Sequence, residues 1–341
     1  MAQTSLQTAK KAKKDEFYTV SSTIEDELKY YKKHFKGKVV FCNCDDPRES
    51  NFVKYFSSNF EALGLKKLIA THYQESTLLS NEPAYKLEYS GDKDGNRTAD
   101  YNEFITKNLR SDGDFRSKDS IEILKQADIV VTNPPFSLFR EYLTQLFEHD
   151  KKFLIIGNVN AVTYKECFKL IKENKMWLGP SIHSGDREFM VPDDYPMHAA
   201  GQRIDEKGRK YIRVKGVRWF TNLDYEERHQ DLQLWKSYDP SFYPKYDNYD
   251  AINIDKTSEI PKDYAGAMGV PITFLDKYNP DQFEILGITD RQNTSGLRTK
   301  KYTPQDDVKY NDLNARSVLK NGKSYKAVYA RLLIKNKRVE K

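Results

Sequence analysis

The chain reads as an α/β protein built on a doubly wound sheet, and three observations carry that expectation. Apolar runs of strand length alternate with amphipathic segments of helix length from residue 24 to residue 173. The first runs are spaced as in a βαβ crossover unit. A length of 341 residues with 38% hydrophobic and 13% aromatic content is enough to bury a sizeable core without covalent staples.

The elements follow in order. Residues 1–15 form a basic leader with no apolar stretch after it, so no secretory signal is expected. IEDELKYYKKHF (24–35) places Ile24, Leu28, Tyr31 and Phe35 on one helical stripe. KVVFCN (38–43) is a buried strand that ends in a DDP turn. Residues 50–63 carry Phe52, Phe56 and Phe60 on one helix face, with Gly64 as the cap, and KKLIATHY (66–73) is the next strand. Residues 81–113, rich in Gly, Asp, Asn and Tyr, read as an insertion outside the core, with a hairpin around 91–95. A helix (117–126), the strand ADIVVTN (127–133), a helix (137–148), the strand KKFLIIGNV (151–159) and a helix (163–173) resume the alternation. Such a sheet takes its ligands at the carboxyl ends of its strands. KYIRVKGVRWFTNL (210–223) alternates around Gly216 and predicts a hairpin or neighbouring antiparallel strands, and FEILGIT (283–289) is the clearest later strand.

Composition excludes several classes. No run approaches the roughly eighteen apolar residues of a transmembrane helix. Cys42, Cys44 and Cys167 cannot pair evenly and read as reduced thiols of a cytoplasmic protein. His34, His72, His149, His183, His198 and His229 lack metal-ligand spacing, so no metal is expected. The net charge of +6 is unevenly spread: residues 291–341 hold fourteen Lys and Arg against four Asp and Glu, and the preceding 290 hold 42 against 46. A basic end on a near-neutral body suits either a polyanion partner or a solvated lysine-rich surface.

The sharpest chemical signal is Asn133-Pro134-Pro135-Phe136, directly after the strand ADIVVT. Two prolines force an extended backbone lacking N–H donors, so the Pro134 carbonyl cannot join a helix ladder. With the Asn133 side chain it makes a rigid pair of acceptors beside an aromatic ring, a cradle for a planar group bearing NH2. The competing reading, a stiff turn with Phe136 in the core, is disfavoured by the position at a βα turn.

Asn-Pro-Pro-Phe after such a strand resembles the motif of amino-group methyltransferases that use S-adenosylmethionine. DDPRESNFVKYFSSNFEALGLKKL (45–68) and GDFRSKDSIEILKQADIVVTNPPFSLFREYL (113–143) resemble, more closely, the EcoRI-type adenine-specific DNA methyltransferases. The resemblance spans about residues 15–220 and continues more loosely to the C-terminus. It implies a mixed seven-stranded sheet of the S-adenosylmethionine-dependent type over 16–225, and a smaller target-recognition region over 226–341. It also implies S-adenosylmethionine as cofactor and double-stranded DNA as partner, with no membrane and no obligatory protein partner, and a monomer as working state.

By the same resemblance Asp114 accepts from the cofactor's adenine amino group and Phe115 packs on its ring. Phe17-Tyr18-Thr19 resembles a leading motif that touches the methionine carboxylate; a packed Tyr18 with a capping Thr19 is the alternative. Where many methyltransferases carry glycines after the first strand, this chain has Cys44-Asp45-Asp46-Pro47, which places Asp45 or Asp46 against the cofactor's ammonium. Glu75 is the candidate for the ribose hydroxyls. An extruded base needs a second wall, for which Trp219 and Phe220 are the candidates, with burial in the core as the alternative. Arg291, Gln292, Asn293, Arg298, Lys300 and Lys301 supply purine-reading and phosphate-holding side chains in a basic loop. Competing functions are methylation of RNA adenine or protein glutamine, or a catalytically silent nucleic-acid-binding relative.

Overall fold

The computed structural model describes residues 17–44, 46–74, 83–193, 195, 201–289, 296–306 and 310–340. The chain divides into two compact units: residues 1–161 with 178–224, and residues 162–177 with 225–341. No described helix is long and apolar enough to cross a membrane.

In chain order the strands up to residue 221 are β1 (Tyr18–Thr19), β2 (Val39–Cys42), β3 (Lys67–Thr71), β4 (Tyr85–Tyr89), β5 (Ile105–Asn108), β6 (Ile129–Thr132), β7 (Lys152–Asn158), β8 (Trp177–Leu178), β9 (Asp186–Val191), β10 (Arg203–Ile204), β11 (Lys210–Lys215) and β12 (Val217–Thr221). The large sheet has the order β5-β4-β3-β2-β6-β7-β12-β8. Its centre, β3-β2-β6-β7, is parallel; β4 and β12 run antiparallel to their inner neighbours. VVFC and IVVT are buried along their whole length because helices must cover both faces of a parallel sheet. Strand order reverses about β2, which has β3 on one side and β6 on the other. Ligands of doubly wound sheets bind at the carboxyl edge of this point.

Three expectations change. Residues 81–113 are not an insertion outside the core: β4 and β5 pair antiparallel and extend the sheet beyond β3, with Tyr85, Leu87 and Tyr89 buried. The hairpin there is β4–β5, joined across 90–104, rather than a tight turn at 91–95. The described sheet accordingly has eight strands, not seven. The alternating run 210–223 is not one hairpin either. At Gly216 the chain passes from β11, in a small sheet ordered β1-β9-β11-β10, to β12 in the large one. Its two halves have different partners, β9 and β7.

The helices form where the apolar spacing placed them. The stripe 24–35 is broken into Ser21–Leu28, a 3-10 turn and Lys32–Phe35, and 50–63 breaks at Asn59. Helix Lys118–Gln126 begins at Ser117, whose side chain accepts from Ser120 N.

The second unit holds a four-stranded sheet ordered β13-β14-β18-β15, from β13 (Ile252–Asn253), β14 (Met268–Pro271), β15 (Phe283–Ile288) and β18 (Arg331–Asn336). A separate two-stranded ribbon pairs β16 (Ser317–Asn321) with β17 (Ser324–Val328).

Candidate active site

Asn133 stands at the carboxyl end of β6, 5% exposed. Its Nδ2 donates to Phe17 O at 2.6 Å, which leaves Oδ1 buried with no hydrogen-bond partner. An orphaned buried acceptor costs roughly 1–3 kcal/mol, so it is tolerated where something else completes it. Pro135 O accepts from Leu138 N at 2.9 Å, and that turn opens the helix Phe139–Glu148. No described backbone N–H donates to the Pro134 carbonyl. Phe136 is half-buried, its ring edge-on to Phe17 at 6.1 Å.

The N-terminal motif reaches this place by strand pairing. β1 pairs antiparallel with β9, Tyr18 opposite Met190 and Thr19 opposite Phe189. Asn51 Nδ2, on the helix after β2, donates to Thr19 O at 2.8 Å. The Thr19 hydroxyl is buried and without a partner, as are those of Thr71 and Thr132 at the ends of β3 and β6. Phe17-Tyr18-Thr19 and Asn133-Pro134-Pro135-Phe136, more than a hundred residues apart in sequence, are thus brought together.

Other residues line the same strand ends. Asn43, just past β2, accepts from Tyr142 OH at 2.5 Å. Burial pushes the Tyr142 phenol well above its ordinary pKa and keeps it a donor. The Tyr142 ring meets Phe115 edge-on at 5.0 Å, and Gln145 Nε2 holds Phe115 O at 3.0 Å. The helix that follows the prolines therefore sets both β2's exit and the Asp114-Phe115 segment. Asp114 is clasped by Arg116, at 2.8 Å from Nε and 2.6 Å from Nη2; these hydrogen bonds hold its carboxyl below the usual range. It stays an ionised acceptor. Asp46 accepts from Tyr85 OH at 3.1 Å and Arg48 N at 2.9 Å, with His72 Nδ1 3.6 Å away. Asp45 and Glu75 lie outside the described residues.

Sequence reasoning missed Asn43, Asn51 and Tyr142. Asn43 had a readable signal, a polar residue ending an apolar strand; the other two sit within ordinary amphipathic helices. Gly113 supports the segment by a close approach. It has φ +80°, and a Cβ there would lie 2.3 Å from His72 O. Gly113→Ala is expected to cost about 2–3 kcal/mol, lowering the thermal midpoint by about 4–10 °C. An unchanged melting curve would contradict that packing.

Two expected site residues are corrected. Trp219 and Phe220 are fully buried in β12, opposite Ile156 and Ile155 of β7. Trp219 packs edge-on to Phe52 and Phe220 against Phe139. A strand flanked on both sides and covered on both faces offers no ring to an extruded base.

In the second unit Arg291, Gln292 and Asn293 fall outside the described residues. Arg298 acts as an internal strut: Nη2 donates to Tyr249 OH at 2.8 Å and Asn314 O at 3.0 Å. Lys300 lies between Asp247 and Asp306, 3.5 Å from each, and only Lys301 of the three is exposed. Elsewhere Asp92, Asp94 and Glu103 bring carboxylate oxygens within 4.8 Å of one another. Asp92 accepts from the N–H groups of Gly95 and Arg97, and Glu103 from those of Lys93 and Asp100, so both brace the β4–β5 loop.

The family described as adenine-specific methyltransferase EcoRI matches this sequence over residues 5–337. The chain belongs to that family. It is 50% identical to the type II methyltransferase M.EcoRI of Escherichia coli over 98% of this chain and 97% of that one. It is 38% identical to M.MgeORF184P of Mycoplasma genitalium over 97% and 98%. With M.MpnI of Mycoplasma pneumoniae the identity is 42% over 82% and 83%. No solved structure matches it. Among these EcoRI-family adenine methyltransferases, the present chain carries its proline-fixed acceptors at the strand switch point of the sheet.

Proposed function

We propose that this protein is a site-specific DNA adenine-N6 methyltransferase that takes its methyl group from S-adenosylmethionine and acts on an adenine extruded from duplex DNA. The observation that carries the reading is Asn133: a buried carboxamide with its nitrogen anchored and its oxygen free, beside a proline-fixed carbonyl and a half-exposed ring.

The residues present fit the cofactor. The orphaned hydroxyls of Thr71 and Thr132 and the Asn133 oxygen lie at the carboxyl ends of the parallel strands β3 and β6, and that of Thr19 in β1, two residues from the Phe17 carbonyl that Asn133 holds; a polar ligand would satisfy them. Thr19 and Tyr18 would hold the methionine end, Asp45 or Asp46 the ammonium, and Asp114 with Phe115 the adenine. The bound cofactor supplies an electrophilic methyl group.

The rest belongs to the chain. An exocyclic amine is a poor nucleophile because its lone pair is delocalised into the ring. Asn133 Oδ1 and Pro134 O accept its two protons and hold the nitrogen nearer to tetrahedral, which frees the lone pair for in-line attack. Phe136 covers one face of the base. The proton leaves after the new bond forms, so no general base precedes attack. Positioning and fixed dipoles do the work, and extrusion costs a few kcal/mol of stacking and pairing.

RNA adenine or protein glutamine would suit the same acceptor pair, so the test offers all three. Incubation with methyl-labelled S-adenosylmethionine and duplex DNA, RNA or protein is expected to label duplex DNA as N6-methyladenine. Label confined to protein or RNA would remove this reading.

A further inference from the structure

The β16–β17 ribbon of the second unit pairs with no other described strand. Its base and tip differ in character. Val318 is buried with Tyr302 and Leu313, and Val328 with Tyr246, Tyr249 and Leu333. Asn248 Oδ1 accepts from Val318 N at 2.9 Å, and its Nδ2 donates to Arg316 O at 2.8 Å. Asp247 N donates to Val318 O at 2.8 Å. A base so pinned holds the ribbon as a stiff arm. Lys320, Asn321, Gly322, Lys323 and Ser324 at the tip are all exposed. Gly322, φ +58°, takes the first position of the two-residue turn, where a tight hairpin calls for a left-handed residue.

The charge on this arm is one-sided. Residues 317–328 contain three Lys and no Asp or Glu. Lys320, Lys323 and Lys326 are exposed and have no ion pair among the described residues. Lys300, near the base, is by contrast held by Asp247 and Asp306. The fold neutralises a lysine beside the base and leaves those of the arm open. Lys320 also lies over the half-buried Tyr325 ring at 5.3 Å, which directs one ammonium without discharging it. A two-stranded ribbon is one of the two elements that the major groove of B-DNA admits.

We propose that the β16–β17 ribbon is a DNA-reading arm that enters the major groove, with Lys320, Lys323 and Lys326 on phosphates and Asn321 on base edges. This rests on the reading of duplex DNA as substrate. Lysine binds phosphate as a point charge, and an asparagine carboxamide pairs with adenine's N6 and N7. The arm takes over the role that the sequence assigned to Arg298 and Lys300, whose side chains are spent internally.

The test uses the full-length protein and a fluorescent duplex cut from around an adenine that it methylates, mapped by single-molecule sequencing of treated plasmid. The triple variant Lys320→Ala, Lys323→Ala, Lys326→Ala is compared with Lys165→Ala, Lys169→Ala, Lys172→Ala, which removes equal charge from a helix of the same unit. The arm variant is expected to bind at least about tenfold more weakly, its log-affinity against log-salt slope shallower by about two to three. The helix variant should stay within about twofold. Asn321→Ala should lose about tenfold in preference for the methylated site over a scrambled duplex and keep its non-specific binding. Cofactor affinity measured by calorimetry should be unchanged in all, which separates a lost contact from a lost fold. Wild-type affinity and slope in the arm variant, or an equal loss in the helix variant, overturns the arm while leaving the methyltransferase reading intact. A wild-type protein that methylates no duplex overturns both.

Discussion

Asn133→Ala is expected to lower methyl transfer at least about a thousandfold, equivalent to about 4 kcal/mol of barrier, with duplex and cofactor binding within a few-fold of wild type. Removing one preorganised partner from a reacting group in other enzymes costs about 10²–10³ in rate. Here the loss is compounded, because the Asn133 side chain does two things. Its oxygen is the free acceptor, and its nitrogen ties the strand end to Phe17 O, the backbone that leads into Tyr18 and Thr19. Asn133→Asp separates these roles. It keeps an acceptor but sets a carboxylate against the Phe17 carbonyl, so it should retain less activity than the wild type and bind cofactor more weakly than Asn133→Ala. Single-turnover assays with pre-bound duplex check both variants, since they isolate the chemical step from binding. Normal turnover in Asn133→Ala would refute the assignment.

The second large effect concerns stability and pH. Glu27, on the helix Ser21–Leu28, is fully buried, and burial raises its pKa to about 7. Tyr31 OH donates to its Oε1 at 2.9 Å and Ser181 N to its Oε2 at 2.9 Å, and both oppose the rise without cancelling it. The enclosure is tight: a Cβ at Gly179 would fall 1.9 Å from Oε1. A folded-state pKa above the unfolded value means that the native protein holds the proton more strongly. The contribution is fully present below about pH 4.5 and is lost as pH rises through about 7. From pH 5 to pH 8 that amounts to about 2–3 kcal/mol. Glu27→Gln removes the titration yet keeps an oxygen for Ser181 N and an NH2 for the rotatable Tyr31 hydroxyl. Urea unfolding at the two pH values should show the wild type losing about 2–3 kcal/mol more than the variant over this range. Parallel losses in the two proteins would mean that Glu27 does not titrate there.

How much was legible follows from how far each feature depends on distant residues. VVFC and IVVT were readable as buried strands because a strand covered on both faces is apolar at every position. The stiff turn Asn133-Pro134-Pro135-Phe136 at the end of β6 was readable because proline acts on its own backbone, whatever surrounds it. KYIRVKGVRWFTNL could be read as a hairpin or as neighbouring antiparallel strands, and is neither, because alternation reports a strand and not its partner. β11 and β12 look alike in sequence and belong to different sheets. Trp219 and Phe220 went astray for the same reason, since an aromatic pair in a strand has one appearance whether it faces a cleft or the core. The stretch 81–113 reads as an insertion because its turn-rich middle, 90–104, hides β4 and β5, which join the sheet only through the pairing of β4 with β3.

By itself the sequence determined the alternation of strands and helices, the stiff turn after β6 and the basic C-terminal stretch, all set by local conformational preference, covalent restraint or composition. Only the tertiary structure decided that Phe17 O anchors Asn133, that Tyr142 joins Asn43 to Phe115, and which lysines near the C-terminus keep their charge open to solvent. Those outcomes depend on hydrogen bonds and ion pairs between residues far apart in the chain, whose partners exist only once the backbone has closed.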